Sequence, residues 1–302
     1  MGDHRTDKDT SRVVTKAYHR TPRITVCMSS EETYSTIQTY RNDEDDRIFH
    51  VDLDRPDDNN TVTAELLSEL GHAVESADAA DDVDAIVLGT TSENFCAGGS
   101  LDELGDIDRE GGNRFLSGYV DTVHLLRETG KPTVAAVKGT CVAGGNELVM
   151  GSDIIVAGES ARFGQPEARV GSTAAGGGVQ MMPLIVGEQR AKDLLLTARL
   201  LSAEEAEDWG LINRVVDDDE VDERSIEIAQ DIIDNNSPQA YRVIKAMLKQ
   251  WNNMAMMNRE VARELTAAVW DSEEFSDRAN AFMSGEDLDS RQFSGTLDKG
   301  DE

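Results

Sequence analysis

Two glycine-rich segments are the first candidates for chemistry in this sequence. They span residues 94–101 and 138–148, and each follows a predicted strand. In each segment the chain turns tightly before a predicted helix, and a helix N-terminus presents free backbone N–H groups. Two such N–H groups that point at one spot form an oxyanion hole, which stabilises a carbonyl oxygen as it gains negative charge. Either segment alone is better explained as a simple tight turn with positive-φ positions.

Two glutamates stand beside these turns. Glu147 directly follows the second glycine turn in an apolar segment, and Glu167 ends the stretch 163–167. In a chain with 59 acidic residues, a single glutamate is ordinarily a solvated surface residue. The apolar and glycine-rich neighbours of these two favour a functional role. Two carboxylates beside an oxyanion hole can act as general base and general acid, with their environments deciding which one holds the proton.

Other site classes lack their signatures in this sequence. Neither the P-loop pattern nor a clean dinucleotide-binding glycine pattern is present. Cys27, Cys96 and Cys141 have no paired spacing, and the five histidines are scattered, so neither a disulfide framework nor a metal site is predicted.

The charge of the chain is strongly negative, with 29 Lys and Arg against 59 Asp and Glu, a net charge of −30 and a pI of about 4.4. This balance argues against nucleic acid or an anionic membrane as a partner. No apolar stretch approaches the roughly 18–20 residues of a membrane helix. The acid excess, with only eight Lys, predicts a halophilic, cytoplasmic protein whose self-repulsion is screened by salt.

Predicted strands alternate with predicted helices over most of the chain, which is typical of the α/β class. The predicted strands are 34–40, 47–53, 83–88, 133–137 and 153–157. The predicted helices are 61–77 and a helix that carries Phe115, Tyr119, Val123 and Leu126 and stops at Lys131-Pro132.

The last third of the chain has helical signals. Ser202 with Glu205 forms a capping box, and Ser237-Pro238 begins a long predicted helix that runs towards Trp270. Ser272 caps a further predicted helix that stops at Gly285. We therefore divide the chain into four predicted regions: a disordered extension (1–30), a core domain (31–236), a C-terminal helical region (237–285) and a loose acidic tail (286–302).

Six segments, in order, resemble the crotonase superfamily, that is, the enoyl-CoA hydratase/isomerase family. Residues 55–60 look like its R-P-x-x-x-N segment, 95–101 like F-C-A-G-x-D-L, and 144–148 like G-G-x-E-L. Residues 163–167 look like F-G-x-P-E, 171–195 like the following glycine loop and helix, and 210–216 like G-L-V-n-x-V-V. The resemblance covers about residues 34–282. It implies an α/β fold built as a spiral of ββα units with a helical C-terminal region, assembled as homotrimers or dimers of trimers.

The resemblance also implies roles for individual residues. Gly99 and Gly144 would supply the oxyanion-hole N–H groups, and Glu147 and Glu167 would be the two catalytic glutamates. The residues that would contact the substrate and its CoA are Arg55, Asn59, Cys96, Ala97, Gly98, Leu101 and Gly171. Having both glutamates favours an enoyl-CoA hydratase, a lyase of β-oxidation or amino-acid breakdown. Its substrate would be an acyl-CoA thioester, with CoA part of the substrate and no separate cofactor.

Three departures from the family pattern leave the substrate open. Ser100 stands where the family often has Asp, Asn59 stands where many members have a basic residue, and 282–287 lacks a frequent basic pair. The loop 171–178 is more similar to that of ring-cleaving members. The alternatives are therefore an enoyl-CoA isomerase, an alicyclic oxo-acyl-CoA ring hydrolase, or a protein that binds CoA thioesters without turnover.

Overall fold

The structure is a computed structural model that describes residues 33–286 except Asp106, Met256 and Asn258. The predicted disordered extension (1–30) lies outside the described residues, as does the predicted tail beyond Glu286. The division between a core domain and a C-terminal helical region stays a prediction.

The described residues form nine strands in two sheets. A six-stranded sheet has the order β1-β2-β3-β4-β6-β9, with β1 antiparallel to β2 and the other pairs parallel, and a smaller sheet has the order β5-β7-β8. The strands are β1 (Ile37–Arg41), β2 (Ile48–Leu53), β3 (Ala85–Thr90), β4 (Thr133–Val137), β5 (Thr140–Val142), β6 (Ile154–Gly158), β7 (Arg162–Gly164), β8 (Leu200–Ser202) and β9 (Arg214–Val216).

Eleven α-helices connect and follow these strands within the described part of the chain. They are α1 (Ala64–Ala79), α2 (Leu101–Leu104), α3 (Arg109–Glu128), α4 (Gly144–Val149), α5 (Gly178–Val186), α6 (Glu188–Thr197), α7 (Ala203–Trp209), α8 (Val221–Asn235), α9 (Pro238–Ala255), α10 (Arg259–Trp270) and α11 (Glu273–Ser284). Two 3-10 helices, Pro56–Asp58 and Pro166–Val170, lie in the loops.

The large sheet separates two hydrophobic clusters, because successive side chains of a strand point to opposite faces. On β3, Ile86 and Leu88 belong to the main core with α1 and α3, whereas Ala85 and Val87 pack in the smaller cluster that α8 covers. Burial on both faces explains why β3 and β4 read as continuous apolar runs rather than as alternating ones.

The chain repeats a pattern of strands followed by a helix, which confirms the predicted α/β fold of ββα units. β1 and β2 lead to α1, and β4 and β5 lead to α4. After β3, the backbone of Cys96 pairs with that of Cys141 on β5 in a single parallel β-bridge. This one-residue pairing takes the place of a second strand. The β-bridges Val62–Gly99 and Cys96–Cys141 bring the turns ahead of α1, α2 and α4 together, and the candidate site lies there.

Several predicted boundaries differ from the structure by one to three residues; the segments predicted as 83–88 and 61–77 are Ala85–Thr90 and Ala64–Ala79. The first strand begins at Ile37 rather than at residue 34, because the backbone N–H groups of Ser35 and Thr36 donate to the Glu69 carboxylate on α1 instead of to β2. The single long helix predicted from 238 towards 270 is two helices, α9 and α10. The break lets α10 bury Ala267 against α3.

Candidate active site

One cavity of about 550 Å³ collects the residues that could do chemistry. Gly99, Gly144, Glu147 and Glu167 all line it, although they come from three separate segments of the chain. Three of the predicted substrate-contacting residues line the same cavity: Asn59, Ala97 and Leu101. The structure therefore brings the two glycine turns and the two glutamates together around one space.

The two glycine turns lie side by side because backbone hydrogen bonds pair Cys96 of the first with Cys141 of the second. The first turn is also bonded to the chain ahead of α1. Val62 N–H donates to the Gly98 carbonyl at 2.7 Å, and Ser100 N–H donates to the Val62 carbonyl at 2.9 Å. This pattern turns the Gly99 N–H away from Val62, while Gly144 begins α4, where the first N–H groups have no helical acceptor. Within the described residues, neither the Gly99 nor the Gly144 N–H donates to another group. Both can therefore serve as oxyanion donors.

The residue before the second donor has an unusual backbone conformation. Ala143 has φ +49° and ψ −124°, a region that is favourable only for glycine. A methyl group on Gly98, whose φ is +104°, would lie 2.7 Å from Ala143 Cβ and 3.7 Å from Gly144 N. The close approach of the two segments holds Ala143 in this conformation and directs the Gly144 N–H into the cavity.

Ala143→Gly should stabilise the protein by about 1 kcal/mol. Relief of the backbone strain, roughly 1–3 kcal/mol, exceeds the extra entropy that glycine gives the unfolded chain, about 0.4–1 kcal/mol. Chemical denaturation of wild type and variant measures the difference. Ala73→Gly, a buried position inside α1, is the control and should destabilise. Equal destabilisation by both changes would contradict the strain at Ala143.

Glu147 lies on α4 and is almost fully buried, with 3% of its surface exposed. The backbone N–H of Gly178, at the start of α5, donates to its Oε1 at 2.7 Å. Burial raises the pKa of Glu147, but the N–H groups of residues 176–178 and the Tyr119 hydroxyl favour its ionised form. The N-terminal end of α5 adds a favourable dipole for a negative charge. Glu147 therefore has partners for a carboxylate.

Glu167 faces the same cavity from the 3-10 helix that follows β7. Burial, and then the charge of Glu147, raise the pKa of this carboxyl well above its usual range. The Gln165 amide, in the orientation that satisfies its neighbours, donates to Glu167 Oε1 at 2.8 Å and to the Ala143 carbonyl at 3.2 Å. The amide donor by itself favours the ionised carboxylate, but burial and the Glu147 charge outweigh it. They favour Glu167 as the member of the pair that holds the proton, and Glu147 as the ionised member.

Four predicted substrate-contacting residues do not line the cavity, namely Arg55, Cys96, Gly98 and Gly171. The Arg55 guanidinium donates to Asp58 at 2.7 Å and to the Thr61 carbonyl. Cys96 and Gly98 lie directly behind the cavity wall, where the Gly98 N–H donates to the Cys96 sulfur.

Sequence reasoning missed three polar side chains that support the site. Asn60, fully buried, donates from its amide to the carbonyls of Asn94 and Phe95 and so holds the first glycine turn. Gln165 contacts Glu167 as described, and the Tyr119 hydroxyl donates to the Gly144 carbonyl. Asn60 and Gln165 lie inside the family-like segments 55–60 and 163–167, so their polar side chains could have indicated a supporting role. Tyr119 had none, because its spacing is that of a core residue.

Two further findings concern the described residues as a whole. None of their His, Cys, Asp and Glu side chains form a group of three that could hold a metal ion. None of their helices is long and apolar enough to cross a membrane.

Comparisons with known proteins agree with this architecture. A sequence model of the family described as "Enoyl-CoA hydratase/isomerase" matches residues 43–291. A protein named "Probable enoyl-CoA hydratase" from Rhizobium meliloti is 33% identical over 237 residues, which cover 78% of this chain and 91% of that protein. A peroxisomal protein of Arabidopsis thaliana named "Delta(3,5)-Delta(2,4)-dienoyl-CoA isomerase" is 30% identical over 256 residues, covering 80% of this chain and 90% of that one.

A solved structure is also similar. The crystal structure of an enoyl-CoA hydratase/isomerase from Xanthobacter autotrophicus Py2 superposes with a TM-score of 0.76 at 28% identity, covering 83% of this chain and 94% of the other. The family model spans most of the chain, and the two glycine turns and two glutamates lie around one cavity as the resemblance implied. The chain therefore belongs to the enoyl-CoA hydratase/isomerase family.

Proposed function

We propose that this protein is an enoyl-CoA hydratase that adds water reversibly across the 2,3 double bond of 2-enoyl-CoA thioesters. The observation that carries the proposal is the pair Glu147 and Glu167, which face one cavity beside two unpartnered N–H groups and have unlike surroundings. Hydration needs one group that accepts a proton from water and one that donates a proton to carbon.

The proposed mechanism uses each of these groups once. The thioester oxygen accepts hydrogen bonds from the N–H groups of Gly99 and Gly144, which stabilise the enolate-like charge. Glu147, as the carboxylate, orients a water molecule and takes its proton as the oxygen bonds to Cβ. Glu167, as the acid, gives its proton to Cα. A net proton transfer from Glu147 to Glu167 then restores the starting state, and no electron transfer is involved.

The cavity wall supports an acyl thioester as the substrate. Phe115, Trp270 and Phe275 line it together, with the Trp270 ring 5.9 Å from Phe115 and 6.0 Å from Phe275. Such a wall suits the apolar part of an acyl group. Among the described lining residues, Arg169 is the one cation, which makes it the candidate contact for the CoA phosphates in place of Arg55.

Loss of the conjugated-enone absorbance of crotonyl-CoA and of a longer 2-enoyl-CoA, measured in molar KCl, tests the proposal. Hydration predicts that the absorbance falls and that 3-hydroxyacyl-CoA accumulates. A folded, CoA-binding protein with no turnover would contradict it.

An isomerase is the second candidate, favoured by the Arabidopsis relative and its printed name. The same two glutamates could move a proton between Cα and a more distant carbon. A 3-enoyl-CoA substrate distinguishes the two activities, since an isomerase raises the conjugated absorbance that a hydratase removes. The ring hydrolase and the non-catalytic binding protein remain alternatives, and alicyclic oxo-acyl-CoA thioesters test the former.

A homo-oligomer, trimer or dimer of trimers, is part of the proposal. The lysines of helix α9 pair with neighbouring elements: Lys245 is largely buried and binds Asp153 at 2.6 Å, and Lys249 binds Glu128 at 2.5 Å. The apolar side chains of α9 are exposed instead: Val243, Ile244, Met247 and Leu248, each 55–67% exposed. Exposed apolar faces of this kind mark association surfaces. Sedimentation in molar KCl measures the oligomeric state, and a monomer would contradict the proposal.

We further propose that the protein works in high salt inside the cell, as its net charge of −30 indicates. Its melting temperature should rise from dilute buffer to molar KCl, because mobile ions screen the repulsion between acidic side chains. Thermal unfolding across a KCl series measures the effect, with sucrose as the control for preferential exclusion without ions. A melting temperature that is indifferent to KCl would contradict this proposal.

A further inference from the structure

Tyr119 is a buried tyrosine in the cavity wall that the mechanism above does not use. It lies on α3, and only 3% of its surface is exposed. Its ring is stacked on Phe115, with the centroids 6.4 Å apart and the planes 5° from parallel. A phenol that needed only to pack could be a phenylalanine, so the partners of the hydroxyl decide what the residue does.

The hydroxyl contacts both halves of the site. Its single proton is donated to the Gly144 carbonyl at 2.5 Å, and the Glu147 carboxylate competes for the same proton. A methyl group on Gly176 would lie 1.6 Å from Tyr119 Cε1 and 2.7 Å from Glu147 Oε2. Ring, carboxylate and loop backbone therefore meet at one crowded point, where only glycine fits. A movement of the ring towards Gly176 would displace the glycine loop.

We propose that Tyr119 is a positioning residue that ties the oxyanion donor Gly144 to the base Glu147. The hydrogen bond to the Gly144 carbonyl fixes the first turn of α4, and hence the direction of the Gly144 N–H. The interaction with Glu147, one turn later on the same helix, fixes the carboxylate that orients the water. This inference rests on the proposed hydratase function, because it assigns Tyr119 a part in the same reaction.

A tyrosine that only filled the core would affect stability and nothing else. A positioning residue changes kcat more than KM, and it changes the pH dependence of the group that it contacts. The hydroxyl favours the ionised form of Glu147, so its removal should raise the pKa of that carboxyl further. Since Glu147 acts as the carboxylate, the acid limb of the kcat/KM profile should then move to higher pH.

Tyr119→Phe is the decisive variant, because it keeps the ring against Phe115 and removes only the hydroxyl. We expect kcat to fall by about tenfold to hundredfold and KM to change by less than about twofold. The acid limb should move to higher pH, because the carboxylate loses a hydroxyl group that favours its ionised form. Tyr40→Phe is the matched control, since its hydroxyl also donates to a carboxylate, Asp52, but neither residue lines the cavity.

A second readout keeps this inference separate from the proposed function. Acetoacetyl-CoA forms an enolate that absorbs in the near ultraviolet, so its bound enolate fraction reports on the oxyanion hole without any turnover. We expect Tyr119→Phe to lower that fraction and Tyr40→Phe to leave it unchanged. If wild type binds acetoacetyl-CoA as the enolate but does not hydrate crotonyl-CoA, the hydratase proposal fails. The effect of Tyr119 on the oxyanion hole can then still be measured from the enolate fraction. Tyr119→Phe with wild-type kcat, pH profile and enolate fraction would overturn the inference.

Discussion

Glu167→Gln is expected to lower turnover by about 10²–10⁴-fold, to leave CoA-ester binding intact, and to make the folded protein more stable near neutral pH. The first effect follows from the proposed role of Glu167 as the proton donor to Cα. A glutamine fills the same space and can keep a hydrogen bond to Gln165, but it has no proton to transfer at any relevant pH.

The effect on stability follows from the raised pKa of Glu167. Burial and the Glu147 charge raise the pKa of this carboxyl in the folded state above the value of about 4.3 that it has in the unfolded chain. As pH rises through the interval between these two values, the unfolded chain releases the proton more readily than the folded protein does. Wild type therefore loses stability over this interval, and the neutral glutamine does not.

Melting temperatures of wild type and Glu167→Gln at pH 5 and pH 8 measure this difference. The variant should melt higher, and the gap should be larger at pH 8. Glu207→Gln on α7, an exposed position away from the cavity, is the control. Its turnover, and its melting temperatures at pH 5 and pH 8, should equal those of wild type. Near-normal turnover by Glu167→Gln would refute its role as the acid, and a gap independent of pH would refute the raised pKa.

Gly144→Pro is expected to lower kcat/KM by about 10²–10³-fold, the loss that follows removal of one oxyanion donor. Gly144 is the first residue of α4, where a missing N–H leaves every helical hydrogen bond intact. Gly144→Ala keeps the N–H, but its methyl group would lie 3.1 Å from the Tyr119 hydroxyl oxygen and 3.4 Å from Val62 Cγ2. Alanine should therefore lower activity by a smaller factor than proline does.

Two comparisons isolate the N–H group in this experiment. Glu188→Pro places proline at the first position of α6, outside the cavity, and should fold and turn over like wild type. Circular dichroism and CoA-ester affinity show whether Gly144→Pro has kept its fold and its binding site. Equal losses for alanine and proline at residue 144 would place the second oxyanion donor elsewhere.

The positions of the candidate site residues and their local geometry could be predicted from short stretches of the sequence. A buried strand that ends in a glycine turn and a helix start is a local pattern, and so is a glutamate that follows it. Gly144 and Glu147 lie in one short helix, so their relation needed no tertiary information. The alternation of strands and helices likewise indicated the α/β fold. The continuous apolar runs of β3 and β4 indicated strands that are buried on both faces.

The packing of these local segments against one another, and the set of side chains that reach the cavity, became visible in the folded structure alone. The backbone β-bridge between Cys96 and Cys141 brings the Gly99 and Gly144 turns together. The Tyr119 hydroxyl contacts the Gly144 carbonyl although the two residues are 25 positions apart in the chain. Arg55 turns to Asp58 instead of to the cavity. Such contacts join residues that are distant in sequence, and neither periodicity nor a short motif carries information about them. The unlike surroundings of the two glutamates, and thus which one keeps the proton, arise in the same way, since burial and neighbouring charge are properties of the packed site.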